Sequence, residues 1–134
     1  MTIREFMRYH LPLVAYATLV LVLSSIPDLS VPIVTSFPSD KIAHFCEYAI
    51  FAGFTFRSFS RLMPKATSKL LLFCILFLTL FALADEYYQH FIPGRQTDLL
   101  DFAADIGGGF LVLFLLFDHF RRVNRPAGRT DPVD

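Results

Sequence analysis

The chain has 134 residues, with 12 Lys and Arg against 12 Asp and Glu, 54% apolar residues, 16 Phe and no Trp. That length holds one domain, and apolar residues gathered in blocks rather than at amphipathic spacing argue for a bilayer and against a soluble core. The net charge of zero conceals a segregation of signs, and basic residues that flank apolar blocks are explained by topology, which excludes nucleic acid as a partner.

Four spans are predicted, at Tyr9–Ile26, Lys41–Phe59, Ala66–Ala84 and Leu99–Phe117. Each is near the ~20 residues that cross ~30 Å of hydrocarbon. The first carries Pro12 near its start, where a helix tolerates proline. Its basic flank and apolar centre resemble a signal peptide, but the long apolar run and the lack of a small-x-small site predict that it is retained. Pro27–Ser39, with three prolines, reads as an outer loop. Ser39-Asp40 is an N-cap signal for the second span. Asp40, His44 and Glu47, spaced four and three apart, share one helical stripe that Phe51 continues as an apolar residue.

The link Ser58–Ser68 is short and basic, and the third span is nearly featureless until Asp85, Glu86 and Gln89. Pro93-Gly94 then breaks the helix and turns the chain. The fourth span opens with Asp98, Asp101 and Asp105 and continues into Gly107-Gly108-Gly109, where another helix can approach closely. Cys46 and Cys74 lie at depths that differ by more than the ~7 Å limit for bridged Cα atoms, so no disulfide is predicted. Asn124–Asp134 has no apolar face and is expected to be a disordered cytoplasmic tail, leaving residues 1–123 as the membrane domain.

Ten of the 12 basic residues fall on one face of this arrangement: Arg4, Arg8, Arg57, Arg61, Lys65, Lys69, Arg121, Arg122, Arg125 and Arg129. Lys41 and Arg95 alone remain on the other. By the positive-inside rule both termini are cytoplasmic. The expected fold is therefore all-α, a bundle of four transmembrane helices with an acidic polar cluster at its extracytoplasmic end.

That cluster gathers Asp40, His44, Glu47, Asp85, Glu86, Gln89, Asp98, Asp101 and Asp105 from three helices. Polar residues at such depth are costly and usually face a bundle interior or a wet cavity. Simple helix–helix hydrogen bonding is the plainer account, at ~0.6 kcal/mol each. On that account His44 is a bundle residue, Tyr48, Tyr87 and Tyr88 are interfacial belt aromatics, His90 and Asp98 are solvated, and His10 and His119 sit at the basic interface. Seven carboxylates exceed what packing needs, and three uses fit them. Asp85, Asp101, Asp105 and Glu47 could ligate a hard divalent cation, Mg²⁺ or Ca²⁺. Glu86, Asp101 and His44 could divide general acid and base roles. Arg95 could clamp a phosphate or carboxylate of a lipid or glycopeptide, with Gln89, Asp40, Lys41 and Asp98 around the ligand.

Asp40-Lys41, His44 and Tyr48, then Asp85-Glu86, Gln89, Pro93-Gly94-Arg95, Asp98, Asp101, Asp105 and Gly108, resemble the VanZ-like family of small bacterial integral membrane proteins. The family pattern is D-K-x-x-H, later D/E-E-x-x-Q, then P-G-R-x-x-D-x-x-D with Asn or Asp four residues on. The likeness spans Asp40–Gly108, and it departs at Asp105, where the family most often has Asn. An extra acid there is expected to be neutral, paired or metal-bound. The resemblance implies a bacterial inner-membrane location and a link to glycopeptide antibiotic tolerance, since the family is named for a teicoplanin-resistance accessory protein. Two functions follow as expectations: binding or modification of an envelope amphiphile at the outer leaflet, or a non-enzymatic scaffold whose polar residues are structural.

Overall fold

The computed structural model describes residues 1–27, 39–65, 68–94 and 98–124. Among them the chain is all helical: α1 (Ile3–Tyr9), α2 (Leu11–Ser24), α3 (Ser39–Leu62), α4 (Ser68–Gln89) and α5 (Leu99–Val123). α1 starts on a capping box, in which the Thr2 hydroxyl accepts from the Glu5 amide and the Glu5 carboxylate accepts from the Thr2 amide. His10 ends α1 and begins α2, and the two helices meet at 45°. Pro12 fits the first turn of α2, where no intrahelical donor is lost. Asp98 caps α5, and Gly94 turns the chain after α4 with φ of 80°.

Side-chain pairs set the helix directions. Lys41 meets Asp101, His44 meets Asp105, and Phe56 meets Phe120, so α3 and α5 run parallel. His10 meets Ser58 while Tyr16 stacks on Phe51, so α2 runs against α3. Gln89 meets Ser24, which sets α4 parallel to α2. One end of the bundle thus holds Lys41, Glu86, Asp98 and Asp101, and the other holds Arg57, Arg61, Arg121 and Arg122.

The core between these ends is aromatic and aliphatic. Phe51, fully buried, touches Tyr16, Tyr48, Phe77 and Phe81. α3 and α5 make the most extensive contact, and glycine makes it possible. A Cβ on Gly108 would stand 2.0 Å from the Phe45 carbonyl oxygen. Only a residue without a side chain lets the two backbones come this close.

The expectation of four spans is corrected to two, or three. Ser68–Gln89 and Leu99–Val123 are long and apolar enough to cross a membrane, and the bent pair α1 and α2 qualifies if it is counted as one span. α3 is long enough at 24 residues, but Asp40, Lys41, His44 and Glu47 at one end and Arg57 and Arg61 at the other leave too short an apolar centre. Tyr48 is corrected too. It is 1% exposed and belongs to the core rather than to an interfacial belt, because it sits one turn from His44 on the inward stripe. His10 is likewise buried, with Nδ1 2.7 Å from the Ser58 hydroxyl. Tyr87 and Tyr88 are exposed, Cys46 and Cys74 are both free thiols, and most of the outer loop expected before α3 (residues 28–38) and of the tail expected after α5 (residues 125–134) lies outside the described residues.

Candidate functional site

The start of α5 is the point where three helices meet. The Asp98 carboxylate accepts from the Leu100 amide at 2.9 Å, as an N-cap should. Its own amide donates to Glu86 Oε1 at 2.7 Å, which ties the end of α4 to the start of α5. Lys41 Nζ, from the first turn of α3, donates to Asp98 at 2.7 Å and also to Asp101, and lies 3.6 Å from Asp40. One ammonium therefore sits among three carboxylates.

Asp98 is thus more engaged than a solvated loop acid. Its carboxyl is held below the usual carboxylate range, first by the Lys41 ammonium and then by the Leu100 amide. A depressed folded-state value contributes stability above the ordinary carboxylate value of ~4, and that contribution is lost as pH falls through the lower folded value. Thermal melts of the purified protein should show stability declining as pH is lowered from about 5 toward 3. Asp98→Asn keeps a capping side chain without the charge, so its melts should depend less on pH in that window.

One turn deeper, His44 Nδ1 lies 3.0 Å from Asp105 Oδ1, and both residues are buried. Asp105, the acid at which the chain departs from the family pattern, is paired. Beside this pair, buried Gln89 donates to the Ser24 hydroxyl at 3.2 Å and to Asp85 at 3.4 Å. Tyr48 comes next along the α3 stripe. Its hydroxyl is buried without a hydrogen-bond partner among the described residues, within electrostatic reach of Asp85 and Asp105. Glu47 is half-buried, and its carbonyl accepts from the Tyr16 hydroxyl at 3.2 Å.

The structure therefore brings Asp40, Lys41, Asp98 and Asp101 together, with Glu86 joined through the Asp98 amide, His44 on Asp105, and Gln89 on Asp85. Arg95 lies outside the described residues. Among the described residues, the group with metal-ligand spacing is Asp40, His44 and Asp101, whose ligand atoms lie within 4.8 Å of one another. It shares Asp101 with the expected cation set of Asp85, Asp101, Asp105 and Glu47, while Asp105 holds the His44 ring. A carboxylate on one ring nitrogen is the arrangement that orients a histidine toward a metal or a proton. Lys41 already places positive charge on Asp101, so a divalent cation at this group would have to compete with it. Ser24, which accepts from Gln89, and the buried Tyr48 hydroxyl were not read from the sequence as part of this cluster, Tyr48 having been expected at the interfacial belt. The four-residue spacing from His44 to Tyr48 was the available signal for the second.

Apolar helices with charged and hydrogen-bonded side chains interleaved at one end define a small helical membrane protein. The chain belongs to the VanZ/LLP1 family, whose family model matches residues 3–121 and so covers nearly all of the five helices. No curated protein and no solved structure matches it.

Proposed function

We propose that the acidic end of the bundle binds the polar headgroup of an envelope amphiphile, a lipid or a lipoglycopeptide, at the outer leaflet of the bacterial inner membrane. The observation that carries this reading is the burial of His44, Asp85, Asp101 and Asp105 at one end of an apolar bundle. A few hydroxyls or amides would hold helices together at lower cost. The orientation rests on the basic residues at the opposite end, which the positive-inside rule assigns to the cytoplasm. In this reading Arg95 holds the anionic group of the ligand, with Gln89, Asp40, Lys41 and Asp98 around it. Glu86, Asp101 and His44 supply proton transfer if the bound molecule is modified, the His44 ring being oriented by Asp105. A divalent cation, where used, is held by Asp40, His44 and Asp101.

The rival reading is a scaffold whose polar residues only join helices. It accounts for the Lys41 and His44 pairs but not for the Tyr48 hydroxyl, which joins nothing among the described residues. Tyr48→Phe and Glu86→Gln therefore form the test. An unsatisfied buried hydroxyl costs ~1–3 kcal/mol, so Tyr48→Phe should melt at or above the wild-type temperature. Both variants, reconstituted in nanodiscs, should bind fewer amphiphiles per molecule in native mass spectrometry with added bacterial lipids or teicoplanin. Wild-type binding per molecule in both variants would sink the proposal.

A further inference from the structure

The basic end of the bundle holds a second constellation, distinct from the acidic end and independent of the reading given to it. Three guanidiniums converge on one aromatic ring. The Cζ atoms of Arg8, Arg57 and Arg61 lie 5.4, 5.6 and 5.5 Å from the Tyr9 ring centroid. They come from two helices, α1 and the last turns of α3, so the gathering is tertiary rather than a run of neighbours. Arg57 also donates to the Arg8 carbonyl at 3.0 Å, which fixes the two helices against each other.

Charge in this group is not balanced from within. Arg61 pairs with Glu5, while Arg8 and Arg57 have no carboxylate partner among the described residues. Three guanidiniums less one carboxylate leave an excess of two positive charges around a single ring. A cation–π contact attracts each arginine to the ring face but leaves its charge in place. Like charges held this close favour an anion that several of them can share. Guanidinium forks match the oxygen geometry of phosphate, where lysine offers only a point charge.

The surroundings say which phosphate. Ile3, Phe6 and Met7, at i, i+3 and i+4, form an exposed apolar face on α1, and Leu62 is exposed at the end of α3. An apolar face of this kind beside arginines is suited to the boundary between acyl chains and headgroups. Basic pockets between helices at that depth take anionic lipid headgroups. We infer that Arg8, Arg57 and Arg61, gathered on Tyr9, form a site for the phosphate of an anionic phospholipid in the leaflet at the basic end of the bundle. This site lies at the opposite end of the bundle from the amphiphile proposed above, so either assignment can fail without the other.

The full chain, purified in a non-ionic detergent and stripped of lipid, is titrated with phosphatidylglycerol, phosphatidylcholine or inorganic phosphate. Bound lipid is counted by native mass spectrometry, and melting temperature is followed in parallel. Phosphatidylglycerol should be retained and should raise the melting temperature, while phosphatidylcholine and inorganic phosphate should do neither. Arg8→Gln/Arg57→Gln should weaken phosphatidylglycerol binding by about tenfold or more. Tyr9→Leu removes the ring without changing charge and should weaken it as well, which keeps the test sound if the double variant folds poorly. Arg122→Gln, at the same end but paired with Asp118 at 2.7 Å, should bind as wild type does. Equal retention of phosphatidylcholine, an equal shift from inorganic phosphate, or wild-type binding by both the double variant and Tyr9→Leu would overturn the assignment.

Discussion

Gly108→Ala should sharply reduce the amount of folded protein and lower its melting temperature more than any other single-methyl addition among the helical glycines. A Cβ there meets the Phe45 oxygen at 2.0 Å and the Phe45 carbonyl carbon at 2.8 Å. Overpacking costs ~1–3 kcal/mol where side chains can yield. Here the obstacle is backbone, so α3 and α5 must separate along their whole contact, and the cost should reach the top of that range or pass it. The neighbouring glycines provide the controls. At Gly109 a Cβ would lie 3.3 Å from the end of the Leu78 side chain, which can shift, so Gly109→Ala should be mild. At Gly53 nothing lies within 4 Å, and Gly53→Ala should be neutral or stabilise by up to ~1 kcal/mol through helix propensity. Melting in detergent ranks the three variants. Equal melting of Gly108→Ala and wild type would mean that the helices do not cross this closely.

The second large effect centres on Lys41. Lys41→Met should destabilise the protein strongly, because it leaves Asp101, with an 8% exposed side chain, beside Asp98 and Asp40 without their cation. Breaking a buried ion pair from one side costs ~3–5 kcal/mol. The Lys41 side chain keeps 19% of its exposure, so the lower part of that range applies. Replacing both partners with apolar residues of similar size is often neutral or better. Lys41→Met/Asp101→Leu should therefore recover most of the lost melting temperature. Failure to recover would show that Lys41 acts through Asp98 or Asp40 rather than through Asp101.

Much of the helical plan was legible because long charge-free runs cannot be mistaken. Leu70–Ala84 and Ile106–Phe117 lie within α4 and α5, and Pro93-Gly94 marks the turn between them. The break at His10 was not legible, since the charged stretch before Tyr9 reads as a flank rather than as a helix of its own, and Pro12 in a first turn is compatible with one continuous helix. α3 was read as a span because periodicity shows a stripe but not what covers it. Its length of 24 residues fits a span, but charge at both ends leaves too little apolar length between them. Pairings were illegible for a related reason. Ranking acids by depth groups Glu47 with Asp85 and Asp105, whereas the parallel register of α3 and α5 groups Asp40 and His44 with Asp101. Lys41 finds its acids nearly sixty residues away, a distance that no local pattern spans.

Whether the acidic end is a binding site, and not only a join between helices, is read from the double variant. Ligand retention per molecule is measured by native mass spectrometry on Lys41→Met/Asp101→Leu and wild type, both in nanodiscs supplied with the same bacterial lipid extract and normalised to folded protein. The double variant should melt close to wild type yet lose the amphiphile bound at the acidic end. Wild-type retention in a stable double variant would contradict it.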